Sequence, residues 1–345
     1  MRLQPTAKDV IHREGTARLY HFRRPADSAQ PATSDRSAEA TAVARVGAAP
    51  SGPRTPIVLV PSLINRWYVL DLRAGSSLVE ALVASGLDVW ALDWGVPEDE
   101  DRYLSWDDVL ARLRRALRAV RKATGAPKAA ILGYCMGGTL AGIHAALHPD
   151  EVAALINLAG PFDFSHAGFL GEMVDARYFD ASAIAAAGNV SPMQMQSGFT
   201  ALRPTASLSK WLGYAEKAGD PAAREGFEAL EAWASDNIPV PGAAYETYIR
   251  DLYQDNALVA GRHHVAGRRV DLGAITCPVL TLAAERDAIC PLPAARALID
   301  HTSGPGELLV VPGGHVGAVV GTRARTQLYP HVIDWLRRNA CSYVN

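Results

Sequence analysis

The sequence predicts an α/β fold: a mostly parallel sheet with helices on both faces and an inserted helical cap. Three observations carry this. From residue 56 onward, short β-branched runs such as Ile57-Val58-Leu59-Val60 alternate with helical patterns; strand–helix alternation argues a parallel sheet covered on both faces. The alternation stops between about 165 and 265 and then resumes. Of the 345 residues, 49% are apolar and 20% charged, which supplies a sizeable core and excludes a disordered chain.

The elements follow in chain order. Residues 1–24 mix charge with short apolar runs such as Arg18-Leu19-Tyr20-His21-Phe22, the pattern of a strand pair at a sheet edge. Residues 25–55 are dominated by Ala, Ser, Pro and Thr and read as a flexible loop, so 1–55 forms an N-terminal segment. Ile57–Val60 is a strand ended by Pro61, Ser76–Ala84 a helix, and Leu87–Leu92 a strand ended by Asp93-Trp94-Gly95. The clearest helix is 106–122, where Val109, Leu110, Leu113, Leu117 and Val120 fall on one face. Ser105 with Asp108 resembles a capping box, and Gly125 is its stop. A strand at Ala129–Leu132, a helix at 137–147 and a strand at 153–158 come next. Strands near 278–283 and 307–311 and a last helix at about 325–338 complete a core made of 56–164 and 266–345. The intervening 165–265 is helical in pattern and holds Phe199, Trp211, Trp233, Tyr245, Tyr248 and Tyr253. An insertion between two strands sits over the strand C-terminal ends, where ligands of open α/β sheets bind, so this segment reads as a cap.

Composition narrows the function. Lys plus Arg number 34 against 36 Asp plus Glu, so nothing global draws the chain to nucleic acid. No apolar run approaches the ~18 residues of a membrane span. The opening MRLQPTAKDVIHREG has no apolar signal-peptide region, so a cytoplasmic protein is expected. The four cysteines form no C-x-x-C pair, and any reactive one stays a thiol. His144 and His148 have a metal-like spacing, but no carboxylate completes a site; neither metal nor cofactor is expected.

One motif carries chemistry. Gly133-Tyr134-Cys135-Met136-Gly137-Gly138 follows a strand and opens a helix, the shape of a G-x-S-x-G nucleophile elbow with cysteine in the serine position. The turn is tight, so its neighbours must be small. It aims Cys135 into the cleft and sets the Met136 N–H beside it as an oxyanion donor. A second donor is expected from Pro61-Ser62-Leu63-Ile64-Asn65, at the Leu63 or Ile64 N–H. Downstream, Asp287 ends the strand-like Leu280–Ala284 run and His315 ends Val310-Val311-Pro312-Gly313-Gly314. Nucleophile, acid, histidine is the chain order of α/β-hydrolases. Asp163 is the second candidate for the acid, while His301 and His331 fall in segments that read as helix. Arg112, Arg114, Arg115, Arg118 and Arg121 read as a solvated helix face, with the phosphates of CoA as the alternative partner; Cys277 and Cys290 read as packing residues.

At these residues the chain resembles the polyhydroxyalkanoate synthases, specifically the short class III catalytic subunit, over nearly its whole length apart from 25–55. The matching stretches are Ser62-Leu63-Ile64-Asn65-Arg66 with Tyr68-Val69-Leu70-Asp71-Leu72, Leu92-Asp93-Trp94-Gly95, and the box from Gly133 to Thr139. Further on come Tyr248-Ile249-Arg250-Asp251-Leu252-Tyr253 with Asn256-Ala257-Leu258, Val270-Asp271-Leu272, and Gly314-His315-Val316-Gly317. The family's catalytic Cys, Asp and His fall on Cys135, Asp287 and His315. Three departures are visible: Ala288 stands where the family usually has histidine, Leu158–Phe164 keeps Asp163-Phe164 but otherwise matches loosely, and the alanine-rich insertion at 25–55 is atypical. The resemblance implies polymerisation of (R)-3-hydroxyacyl-CoA into polyester with release of CoA through an acyl-cysteine, the CoA thioester being substrate rather than cofactor. It also implies a companion synthase subunit, a homo-oligomer, and a place at the surface of polyester granules. The same triad would equally serve a hydrolase of thioesters or esters. A non-catalytic granule-binding homologue is the remaining alternative, against which the intact triad speaks.

Overall fold

The structure, a computed structural model, describes residues 2–24, 54–202, 211, 214–216 and 219–340; the stretch 25–53, expected to be loop, lies outside the described residues. Eight strands form the main sheet: β1 (Lys8–Glu14), β2 (Ala17–Phe22), β3 (Ile57–Val60), β4 (Val89–Asp93), β5 (Ala129–Tyr134), β6 (Val152–Leu158), β7 (Val279–Ala284) and β8 (Gly306–Val311). Their order is β1-β2-β4-β3-β5-β6-β7-β8. The β1–β2 hairpin pairs antiparallel, and β2 pairs antiparallel with β4; every pairing from β4 to β8 is parallel. The expected strand pair therefore sits at one edge, turned at Gly15, whose φ of +56° suits a residue without a Cβ.

Both faces are covered. Along β3 all four residues are buried: Ile57 and Leu59 join one hydrophobic cluster, Val58 and Val60 the other. That alternation is what a period of two gives when helices lie on each side. The first face takes α1 (Leu78–Ala84), and the second takes α2 (Trp106–Thr124) and α3 (Met136–Leu147). On α2 the predicted stripe is buried. Its start is closed by the capping box, Ser105 Oγ accepting from Asp108 N and Asp108 Oδ2 from Ser105 N, and it ends at Gly125 with φ +72°.

After β6 come α4 (Gly168–Met173), α5 (Ala181–Ala186), α6 (Pro192–Leu202), α7 (Pro221–Ser235) and α8 (Gly242–Thr247), which runs straight into a π-helical turn at Tyr248–Gln254. The core resumes with β7, α9 (Leu292–His301), β8, α10 (Gly317–Val320) and α11 (Tyr329–Asn339).

Three boundaries differ from expectation for physical reasons. Ser76–Ser77 pairs with Asp71–Arg73 as a short strand, and Ser77 caps α1 by accepting from Glu80 N, so the helix starts at Leu78. Leu87-Asp88 belongs to the turn out of α1, and the strand begins at Val89. The last helix begins at Tyr329 rather than 325: Pro330 fills a first-turn position and has no N–H to continue an α-helix from below, and Ala324–Leu328 winds as a π-turn instead.

Candidate active site

Cys135 sits where β5 ends and α3 begins, with φ +56° and ψ −130°. A side chain rarely adopts this conformation, and it persists only where the surroundings over-determine it. They do so here. Cys135 N–H donates to Leu158 O on β6 (2.9 Å), and its carbonyl accepts from Gly138 N (2.8 Å). A Cβ on Gly133 would lie 2.3 Å from Gly137 O; one on Gly137 would lie 2.1 Å from Val60 O. These glycines let strand and helix close on the turn. Behind it, buried Asn157 brackets Gly160, accepting from its N–H (3.0 Å) and donating to its carbonyl (2.9 Å).

The parallel register sets the partners side by side. β7 and β8 end opposite each other at Ala284 and Val311, so the two loops beyond them emerge together. Asp287 Oδ2 meets His315 Nδ1 at 2.7 Å. Its other oxygen, Oδ1, accepts from Ile289 N (2.8 Å) and Cys290 N (2.9 Å), which fixes the carboxylate and leaves Oδ2 to the ring. Both side chains are buried. The His315 ring lies 5.4 Å from the Tyr134 ring, tilted by 31°. Its second nitrogen, Nε2, is buried without an oxygen or nitrogen partner, while Cys135 interacts with this ring. Burial alone would lower the imidazole pKa. The charge of Cys135 and the hydrogen bonds to Asp287 and Cys135 outweigh it, and the balance is upward, to about 10. A ring so placed holds a proton firmly beside the sulfur.

Cys135 opens onto a cavity of about 410 Å³ bordered by Ile64, Met136, and residues of α4 to α8 and the π-turn, among them Met173, Met193, Met195, Phe199 and Tyr253. That size and apolar character suit a small-molecule site. Met136 N–H is the first of α3, one of the donors that a helix start leaves without an intrahelical acceptor. Both candidate second donors belong to residues of the core, and of the two only Ile64 borders the cavity; its N–H donates to Ser62 Oγ at 3.2 Å. The loop holding them is tied down at both ends: Trp94 Nε1 donates to Pro61 O (2.9 Å), and Tyr68 OH to Asp236 Oδ2 beyond α7 (2.7 Å).

The competing residues are occupied elsewhere. Asp163 accepts from Ser165 and Asn256 and shapes the loop after β6. His301 bonds Ala297 O, and His331 faces Glu307. The arginines of α2 are less free than a solvated face implies: Arg112 and Arg115 pair with Glu14 on β1, Arg114 and Arg121 with Glu151, and none borders the cavity. Sequence reasoning missed Asn157 and the backbone clamp on Asp287 Oδ1. Asn157 is a polar residue in an apolar strand, a signal that was present; the clamp leaves no trace in residue type.

A family model described as alpha/beta hydrolase fold matches residues 55–322. The chain is 34% identical over 292 residues to the poly(3-hydroxyalkanoate) polymerase subunit PhaC of Allochromatium vinosum, covering 84% of this chain and 82% of that protein. To the poly(3-hydroxyalkanoate) polymerase subunit PhaC of Synechocystis it is 30% identical over 341 residues, covering 96% of this chain and 84% of that one. Among solved structures, a hydrolase from Pseudomonas aeruginosa superposes with a TM-score of 0.53 at 16% identity, over 95% of this chain and 98% of that one, a likeness of fold alone.

Proposed function

The chain belongs to the poly(3-hydroxyalkanoate) polymerase family on an α/β-hydrolase fold, and from that premise we propose that it polymerises (R)-3-hydroxyacyl-CoA through an acyl thioester on Cys135. The observation that supports this most is the constellation itself: a cysteine held in a strained turn, beside a buried histidine whose far nitrogen is fixed by a clamped aspartate, at the mouth of an apolar cavity.

In the first step His315 holds the proton given up by the Cys135 thiol, and the thiolate attacks the acyl carbonyl. The Met136 N–H and a backbone N–H of the Leu63-Ile64 turn receive the developing oxyanion. The new Cys135 S–C bond forms as the C–S bond to CoA breaks, and the CoA sulfur leaves with the proton from His315. In the second step the 3-hydroxyl of another unit gives its proton to His315 and attacks the Cys135 thioester. An ester bond forms, the acyl–Cys135 bond breaks, and the thiol is restored. Exchange of one thioester for another is nearly isoenergetic, so the intermediate stays reactive, and water must be kept from it. The helices of 165–265 that border the cavity serve as that cover. By family resemblance a companion synthase subunit and a granule surface complete the working enzyme.

The test is direct. Purified protein, alone and with a companion synthase subunit, is given 3-hydroxybutyryl-CoA; CoA release, pelletable polyester and the mass of the Cys135 peptide are followed together. CoA release with polymer and an adduct on Cys135 is expected. CoA with free acid instead of polymer would replace transfer by hydrolysis, and absence of turnover in both preparations would refute the catalytic reading.

A further inference from the structure

Cys135 aside, five polar side chains border the cavity: Gln194, Ser197, Tyr245, Tyr248 and Tyr253. Two are engaged locally at α6: Gln194 Oε1 accepts from Ser191, just before the helix, and Ser197 Oγ donates to Met193 O within it. The tyrosines differ. The hydroxyls of Tyr248, which is buried, and Tyr253, which is half-buried, hydrogen-bond to each other, the kind of partner a tyrosine hydroxyl in an apolar wall requires. Burial raises the pKa of both phenols, and each lies close enough to feel the other and Cys135; burial is the sole cause acting on Tyr245, whose pKa rises to about 12.

The backbone explains why two hydroxyls meet here. In an α-helix, residues five apart stand about 140° apart around the axis. The turn over Tyr248–Gln254 is π-helical, marked by the i→i+5 bond from Asp255 N to Arg250 O. Its wider winding brings Tyr248 and Tyr253 to one side, with ring centroids 5.3 Å apart. Neither ring is free to turn away: Trp106 stacks on Tyr248 at 5.5 Å, and Phe164 stands edge-on to Tyr253 at 4.8 Å and to Tyr248 at 5.9 Å. The outcome is a fixed pair of phenol hydroxyls in an apolar wall beside the nucleophile.

We propose that the Tyr248–Tyr253 hydroxyl pair receives the 3-hydroxyl of the acyl group being loaded onto Cys135, so that the cavity takes a hydroxyacyl thioester in preference to a plain acyl thioester. The proposal rests on the function assigned above and adds the residues that read the substrate's hydroxyl. The chemistry is that of any pocket built to bond a substrate hydroxyl. A 3-hydroxyacyl chain adds a hydrogen bond to the pair, whereas a plain chain lays methylenes against two hydroxyls and offers them none.

The test compares single-turnover acylation of Cys135 by 3-hydroxybutyryl-CoA and by butyryl-CoA, read by mass spectrometry. The wild type is expected to favour the hydroxyacyl thioester. Tyr253→Phe should cut that ratio by about 5- to 10-fold, the effect of one lost hydrogen bond, and the double change to Phe should bring it near parity. Tyr245→Phe should leave the ratio within about twofold. Should either Phe variant fail to fold, Tyr253→Met, matched to the methionine-rich wall, makes the same comparison. Equal acylation by both thioesters in the wild type, or a ratio unmoved in folded Tyr248 and Tyr253 variants, would overturn the assignment of the pair while leaving the cysteine chemistry standing. No adduct with either thioester would overturn the cysteine chemistry and the pair's role with it.

Discussion

Replacing Asp287 by Asn tests how the site controls its proton. In the native site Oδ1 accepts from Ile289 N and Cys290 N, and Oδ2 accepts from His315 Nδ1. An asparagine has one oxygen and one NH₂. If its oxygen keeps the two backbone donors, its NH₂ faces Nδ1, which must then accept; the ring proton moves to Nε2, and His315 can no longer take the thiol proton. If the amide turns over, the ring is served, but two N–H groups confront an NH₂. Losing those two hydrogen bonds costs about 1–1.5 kcal/mol each, or ~2–3 kcal/mol together, which favours the unproductive orientation by about 30- to 150-fold. Losing the carboxylate charge that supports the imidazolium adds to this. Acylation of Cys135, measured as the first turnover of CoA release from 3-hydroxybutyryl-CoA, should therefore fall by at least about 100-fold. Thermal unfolding should stay close to wild type. A folded Asp287→Asn protein with less than a tenfold loss would show that the clamp does not choose the tautomer.

Other outcomes follow from the same geometry. Cys135→Ala should abolish CoA release, and Cys135→Ser should leave only a small residue because a serine ester is a poorer acyl donor; an adduct found on Cys277, Cys290 or Cys341 in the wild type would contradict the assignment of the nucleophile. Gly137→Ala forces a Cβ to within 2.1 Å of Val60 O and 2.6 Å of Pro61 O and should destabilise the fold by about 2–3 kcal/mol in denaturant titrations; a change under about 0.5 kcal/mol would mean that the elbow has slack. His144 is buried, which with the charges of His148, Arg114 and Arg121 depresses its pKa to about 3. Since the folded value lies below the unfolded ~6.5, the stability it contributes is present above that pH and is lost as pH falls towards 3, at ~1.4 kcal/mol per unit. Between pH 6.5 and 5 the wild type should lose about 2 kcal/mol more than His144→Leu, and parallel pH profiles would refute that account.

What was legible in the chain was whatever is local. The runs Ile57–Val60 and Val279–Ala284 announce themselves by β-branched and apolar composition, α2 by its stripe and cap, and the elbow by glycines that only a close strand–helix approach requires. Chain order then pointed to Asp287 and His315, which the fold brings to 2.7 Å. The rest depends on contacts between distant segments. Nothing in Tyr248–Gln254 signals π-winding, since its apolar spacing fits an ordinary helix, and no residue type reveals that Asp287 is held by backbone N–H groups. The arginines of α2 read as solvated because their partners, Glu14 and Glu151, lie on separate elements.

The methionines of the cavity have a use of their own. The sequence holds five, and apart from Met1 every one of them (Met136, Met173, Met193 and Met195) borders the space in front of Cys135. A sample labelled only at methionine methyl groups thus places its spectroscopic reporters around the reacting sulfur, leaving the remainder of the internal chain silent. Chemical shifts of those four resonances would follow loading of the acyl group, entry of a second unit and any rearrangement of α4 and α6 in one spectrum, with no cysteine probe competing for the nucleophile.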